Sequence, residues 1–209
     1  MKTFSVFLAC ITISCAGIEK LKFSKIYARA GWQYPEQVVE ILEIKHGQFI
    51  ADLGAGSGYF AKYFSDAVGE TGRIYVNEVD PELVLKLQNK FHDRDPNNVR
   101  AILGNQASAN LPEKVDLIFS CNTYHHLENR PAYFSELKKY LKPGGRIAII
   151  DHKDNLTGIL RIFVTKGHWS SVEMMQKEMK EAGFEESNSF DFLPTQNFLI
   201  FKPIGEKRK

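Results

Sequence analysis

Apolar residues in this chain fall into two kinds of pattern. Short runs, at 49–51, 74–77, 99–103, 115–121 and 147–150, have the length of strands covered on both faces. Between them lie stretches with apolar residues at every third or fourth position. Tyr59, Phe60, Tyr63, Phe64, Ala67 and Val68 share one helical face, and Leu83, Val84, Leu87 and Phe91 share another. Phe134, Leu137, Tyr140 and Leu141 make a third, and Val38, Val39, Ile41 and Leu42 a shorter one after Pro35. The alternation predicts an α/β domain with a mostly parallel sheet and helices on both faces.

Local chemistry marks where these elements begin and end. Pro35 and Pro131 suit first helical turns, and Asp80-Pro81 reads as an N-cap followed by N1. Residues 95–98 (DPNN) form a loop. Residues 141–145 (LKPGG) stop a helix and turn sharply into the strand at 147–150. Ser170 and Glu173 form a capping box for a helix through Met174, Met175, Met179 and Ala182, which Gly183 ends. The methionines have core spacing rather than the arrangement of a metal site. Residues 184–192 and 197–203 read as two last strands, antiparallel at the sheet edge.

Composition narrows the class. The 209 residues, 44% hydrophobic and 25% charged, suffice for one domain with a sizeable core. Residues 35–203 are assigned to that domain, residues 18–34 to an extension ahead of it, and residues 204–209 to a basic tail. A net charge of +2 with interleaved signs offers no basic stripe for nucleic acid. No Cys/His cluster has metal-ligand spacing. Cys121 follows an apolar strand and reads as a core residue.

The first 17 residues have the order of an export signal: Lys2, an uncharged apolar run at 4–13, then Ser14, Cys15, Ala16 and Gly17. Residues 11–15 (ITISC) also resemble a loose lipoprotein box, which would attach Cys15 to lipid and the protein to a membrane; Thr12 stands where leucine is usual. Cleavage after Ala16 and an uncleaved apolar segment on a cytoplasmic protein are the alternatives. The segment places the protein in the cell envelope or, on the second alternative, in the cytoplasm.

The chemistry concentrates at residues 50–60, IADLGAGSGYF. A strand reaches Asp52, Gly54, Gly56 and Gly58 make a turn, and a helix follows. Such a turn lets a ligand approach the backbone and the N–H groups at a helix start. The spacing is GxGxG, and Tyr59 occupies the place of the third glycine of a dinucleotide site; no phosphate-loop GKS or GKT is present. About twenty residues on, a second strand ends in Glu78, where a carboxylate can accept both hydroxyls of a ribose.

Strand, GxGxG, helix, strand and acid, together with LKPGG before an apolar strand, resemble the class I S-adenosylmethionine-dependent methyltransferases, in their small-molecule branch related to quinone biosynthesis. The resemblance implies a Rossmann-like seven-stranded, mostly parallel sheet with its last strand antiparallel. It implies that S-adenosylmethionine lies along Gly54, Ala55, Gly56 and Gly58, with Asp52 toward its amino group and Glu78 and Val79 at its ribose. Asn105, standing where the family usually has an acid, and Gln106 would meet the adenine; Asn122 would line the methionine side. Asp116 resembles the family's fourth-strand acid, which is often structural.

The segment Thr123-Tyr124-His125-His126-Leu127 resembles the loop after the fourth strand in the same branch. Tyr124, His125 and His126 are the candidate catalytic groups, an imidazole serving as base where the acceptor must lose a proton. Helix entry and packing are the competing role for the histidines. Asp151, His152 and Lys153 close the fifth strand at the rim, as a candidate substrate contact. Residues 156–169, the least patterned, match the place where the family covers its substrate. The expected function is methyl transfer to a small-molecule acceptor. The alternatives are a non-catalytic envelope protein that binds an adenosine compound and a nucleotide-dependent oxidoreductase, against which Tyr59 argues.

Overall fold

A computed structural model describes residues 29–154 and 169–205. The expectations for the export signal, for most of the extension before residue 35, for the end of the basic tail and for nearly all of 156–169 lie outside the described residues.

The elements, in chain order, begin with α1 (Ala30–Gln33), α2 (Pro35–Ile41), β1 (Phe49–Leu53), α3 (Tyr59–Val68), β2 (Arg73–Glu78) and α4 (Pro81–Phe91). Then come β3 (Val99–Leu103), β4 (Val115–Cys121), a 3-10 turn at Tyr124–His126, α5 (Arg130–Leu137) and a second 3-10 turn at Lys138–Tyr140. The chain continues with β5 (Leu141–His152), α6 (Val172–Glu181), β6 (Phe184–Phe190) and β7 (Gln196–Pro203). One seven-stranded sheet runs in the order β3-β2-β1-β4-β5-β7-β6. β1 to β5 are parallel, and β7 runs antiparallel to both β5 and β6. The fold is the expected Rossmann-like sheet.

Strand alternation divides the core in two. Ile50, Ile74, Val76, Leu117, Phe119 and Ile150 face α2, α3 and α4, where Phe60, Phe64, Val68 and Leu87 cover them. Ala51, Tyr75, Ile118, Ile147, Ile149 and Leu199 face α5 and α6, under Phe134, Leu137, Met175 and Met179. Phe60 and Phe64 pack on Phe119 with ring centroids 4.8 and 4.9 Å apart. Burying each such ring is worth roughly 2–3 kcal/mol. Cys121 lies in the first of these clusters, and burial pushes its thiol up to about 12. Asp116 accepts from Phe49 N (2.7 Å) and from Lys142 Nζ (2.8 Å), a tie between β1, β4 and β5.

Two boundary expectations are corrected. LKPGG does not stop a helix outside the strand: it lies inside β5, where Leu141 pairs with Val115 and Arg146 with Leu117, so residues 142–145 bulge. Gly144, at φ +75°, supplies the left-handed residue that such a bulge needs. The cap of α6 is Ser171, whose side chain accepts from Met174 N at 3.1 Å. Ser170, one residue earlier, turns inward, and its hydroxyl donates to Asp151 Oδ2 at 3.1 Å. Either serine satisfies the local pattern, and the buried carboxylate decides between them.

Candidate functional site

Strand order reverses between β1 and β4, since β1 pairs with β2 on one side and β4 on the other. Loops leaving neighbouring strands in opposite directions open a crevice at such a point. A cavity of about 330 Å³ lies there. Its wall comes from the end of β1 (Leu53, Gly54), the end of β2 (Asn77, Glu78, Val79), the turn after β3 (Asn105, Gln106), and the end of β4 with its following turn (Ser120, Asn122, Thr123, His126, Leu127), closed by Tyr133.

The glycine turn and Glu78 meet. Glu78 is buried, and its Oε1 accepts from Gly56 N at 2.5 Å while Oε2 lies 3.3 Å from Val79 N. A residue 22 positions away thus shapes the turn. Gly56 has φ +55°, and a Cβ there would meet nothing within 4 Å, so backbone conformation rather than crowding requires glycine. At Gly58, φ +68°, a Cβ would stand 2.7 Å from the Phe91 ring, so this glycine lets α3 approach α4. Ala55 packs in the core behind the turn.

Asp52 sits at the end of β1 beneath the cavity wall, 3% exposed. Burial pushes its carboxyl up to about 7; Arg29 nearby opposes the rise and Glu78 adds to it. Arg29 lies 4.2 Å from the centroid of the Tyr59 ring. The residue that replaces a dinucleotide glycine therefore serves as a platform for a guanidinium, outside the cavity wall.

The structure separates the remaining candidates. Asn105 and Gln106 line the cavity, but Asn105 Oδ1 already accepts from Ala107 N (2.8 Å) and Ser108 N (2.9 Å). The carbonyl oxygen expected at an adenine amino group is spent on an Asx turn. Asn122 lines the cavity in a left-handed conformation (φ +57°), with Oδ1 taking Gln196 Nε2 at 2.5 Å. Tyr124 does not face the cavity. It is buried against Phe134, its hydroxyl donates to Glu178 Oε2, and burial with that bond raises it well above its ordinary value. A phenol so placed reaches no ligand in the cavity.

His125 and His126 part company as well. His126 lines the cavity. His125 turns inward, its Nδ1 2.7 Å from Asp151 Oδ1 and its main-chain N–H donating to Asp151 Oδ2 at 3.0 Å. Asp151 is fully buried rather than at the rim, and it also accepts from His152 N and the Ser170 hydroxyl. The two imidazole centroids are 4.1 Å apart.

Several lining residues carried no sequence signal of their own. Asn77 is buried, donating from Nδ2 to Ala109 O at 2.7 Å, and Ser120 is buried on the same wall. Gln33 and Gln196, fully buried behind Asn122, were equally silent. An isolated amide in a sequence does not disclose a partner more than 70 residues away.

Comparison with known proteins agrees with this geometry. A family model described as a methyltransferase domain matches residues 50–145. Phosphoethanolamine N-methyltransferase 3 of Arabidopsis thaliana is 26% identical over 199 residues, covering 88% of this chain and 39% of that protein. The ubiquinone/menaquinone biosynthesis C-methyltransferase UbiE of Shewanella frigidimarina is 23% identical over 171 residues, covering 81% and 60%. The chain thus spans about two-fifths of the length of the Arabidopsis relative. Among solved structures, a SAM-dependent methyltransferase from Aquifex aeolicus superposes with a TM-score of 0.74 at 24% identity, over 88% of this chain and 96% of that one.

Proposed function

We propose that this chain, which carries a class I S-adenosylmethionine-dependent methyltransferase domain, transfers a methyl group from S-adenosylmethionine to a small-molecule acceptor. The observation that carries the reading is Glu78: a buried carboxylate fastened to the glycine turn and lining a cavity at the strand reversal. Oε1 is committed to Gly56 N, and the longer bond of Oε2 leaves it the better acceptor for ribose hydroxyls. Gln106 rather than Asn105 has a side-chain oxygen to offer an adenine. Burial holds the Asp52 carboxyl up at about 7, and a cationic ligand end nearby would favour its ionised form.

When bound, S-adenosylmethionine supplies a methyl carbon already activated by the positive sulfur. The chain's task is to position the acceptor in line and exclude water. His126, on the cavity wall, is placed to take a proton from an acceptor hydroxyl or ammonium. His125, tied to Asp151, fixes the turn that presents it. The printed names of the Arabidopsis and Shewanella relatives, one for phosphoethanolamine and one for quinone biosynthesis, support a small acceptor.

Calorimetric titration with S-adenosylhomocysteine and NAD tests the reading. Binding of the first and not the second is expected, with a loss of about tenfold or more in Glu78→Ala, since each ribose hydroxyl bond to a carboxylate is worth on the order of 1.5–3 kcal/mol. Equal binding by wild type and variant would remove Glu78 from the site. Transfer of labelled methyl into the small-molecule fraction of an extract, rather than its RNA or protein, tests the acceptor class.

A further inference from the structure

Behind the cavity a chain of side-chain amides runs from the segment before α2 to the last strand. Arg29 Nε donates to Gln33 Oε1. Gln33 Nε2 donates to Gln196 Oε1 at 3.1 Å and to Cys121 Sγ at 3.1 Å. Gln196 Nε2 donates to Asn122 Oδ1 at 2.5 Å. Gln33 and Gln196 are both completely buried.

The polarity of this chain follows from one end. A guanidinium has donors only, so the Gln33 oxygen must face Arg29. Its nitrogen then faces Gln196, which must turn its oxygen there and its nitrogen to Asn122. Asn122 in turn must give up its oxygen. What remains for the cavity is the Asn122 amide N–H2, a donor. The left-handed backbone of Asn122, which asparagine tolerates better than most residues, and its main-chain bond to Ile150 O at 2.9 Å hold it in place.

We infer that Gln33 and Gln196 are positioning residues that fix Asn122 as a hydrogen-bond donor toward the cavity, where it takes an anionic oxygen at the amino-acid end of the bound cofactor. The inference rests on the reading of the cavity as an S-adenosylmethionine site. Arg29 and Asp52 lie within electrostatic reach of one another behind the cavity wall. The oriented amide donor on the cavity wall complements the carboxylate of a ligand's amino-acid end. The same network makes the helix before residue 35 part of the site, because its one buried side chain, Gln33, passes on the direction that Arg29 imposes.

Two ligands separate this role from general support of the fold. S-adenosylhomocysteine has the amino-acid end and 5′-methylthioadenosine lacks it. Calorimetry on the full chain is expected to show S-adenosylhomocysteine binding weakened about tenfold or more in Gln196→Leu and in Asn122→Ala, with 5′-methylthioadenosine unchanged. Asn122→Ala leaves the buried glutamines in place and serves if Gln196→Leu does not fold. Equal losses for both ligands would reduce the amides to a structural role, and no loss for either would overturn the inference. A wild-type protein that binds neither compound removes the reading of the cavity itself, and the inference with it. Tight 5′-methylthioadenosine binding beside insensitive S-adenosylhomocysteine binding removes the inference alone.

Discussion

Two aspartates end central strands of the same sheet, and they are treated oppositely. Asp151, at the end of β5, is fully buried and accepts from His125 Nδ1, His125 N, His152 N and the Ser170 hydroxyl. Asp52, at the end of β1, is nearly as buried, yet among the described residues no donor is bonded to its carboxyl, and burial pushes it up to about 7. A carboxylate whose lone pairs are filled by its own chain is architecture. One buried without donors is costly to the fold and becomes useful when a ligand brings the missing charge. The comparison sets Asp52, unbonded among the described residues, apart from Asp151, which ties the turn that carries the histidines.

The largest expected effect that would break this comparison is the pH dependence of folding. Asp52 has a folded value near 7 against 3.8 in an unfolded chain. Well below pH 3.8 it is protonated in both states. Between pH 4 and 7 the unfolded chain loses the proton while the folded chain keeps it, so this group makes stability fall with rising pH across that window and adds no slope above it. At about 1.4 kcal/mol per pH unit the full effect is on the order of 4 kcal/mol. Urea unfolding of ligand-free wild type and Asp52→Asn at pH 4, 5.5 and 7.5 should show the variant gaining on the wild type as pH rises. Parallel curves would mean that Asp52 is satisfied in solution.

Next in size is Asp151→Ala, which strands four donors. A cost of about 3 kcal/mol is expected, measured by urea unfolding, with S-adenosylhomocysteine affinity in the folded fraction close to wild type. A cost below 1 kcal/mol would show that the network is decorative. The smallest effect sharpens the boundary between the serines. Ser171→Ala should lower stability by about 1 kcal/mol through the lost cap, and Glu173→Ala should leave the melting temperature within a degree of wild type. The reverse result would restore the capping box at Ser170.

The same contrast explains what could be read in advance. The side of the cavity built by β1, α3 and β2 is local: Gly54, Gly56, Gly58 and Glu78 lie within 25 consecutive residues, and their types and spacing are themselves the chemistry. The side built by β4 and β5 is not. Which of Tyr124, His125 and His126 faces the ligand depends on Asp151 and Glu178, residues 26 and 54 positions away from His125 and Tyr124. A 3-10 turn of three residues has no periodicity from which orientation can be inferred, and a one-residue rotation exchanges cavity for core.

By itself the sequence determined the alternation of strands and helices, the glycine turn, the acid that ends β2 and hence the class of ligand. Those depend on periodicity, on φ and on short spacings, which are properties of neighbouring residues. Only the tertiary structure decided that Ser170 serves Asp151 and not a helix, that the Asn105 oxygen is consumed by its own turn, and that Gln33 and Gln196 orient Asn122. Each of these is a matter of which buried donor meets which buried acceptor. Such pairings are settled by strand order and by the cost of leaving a polar group unpaired, and both arise only once the sheet has closed.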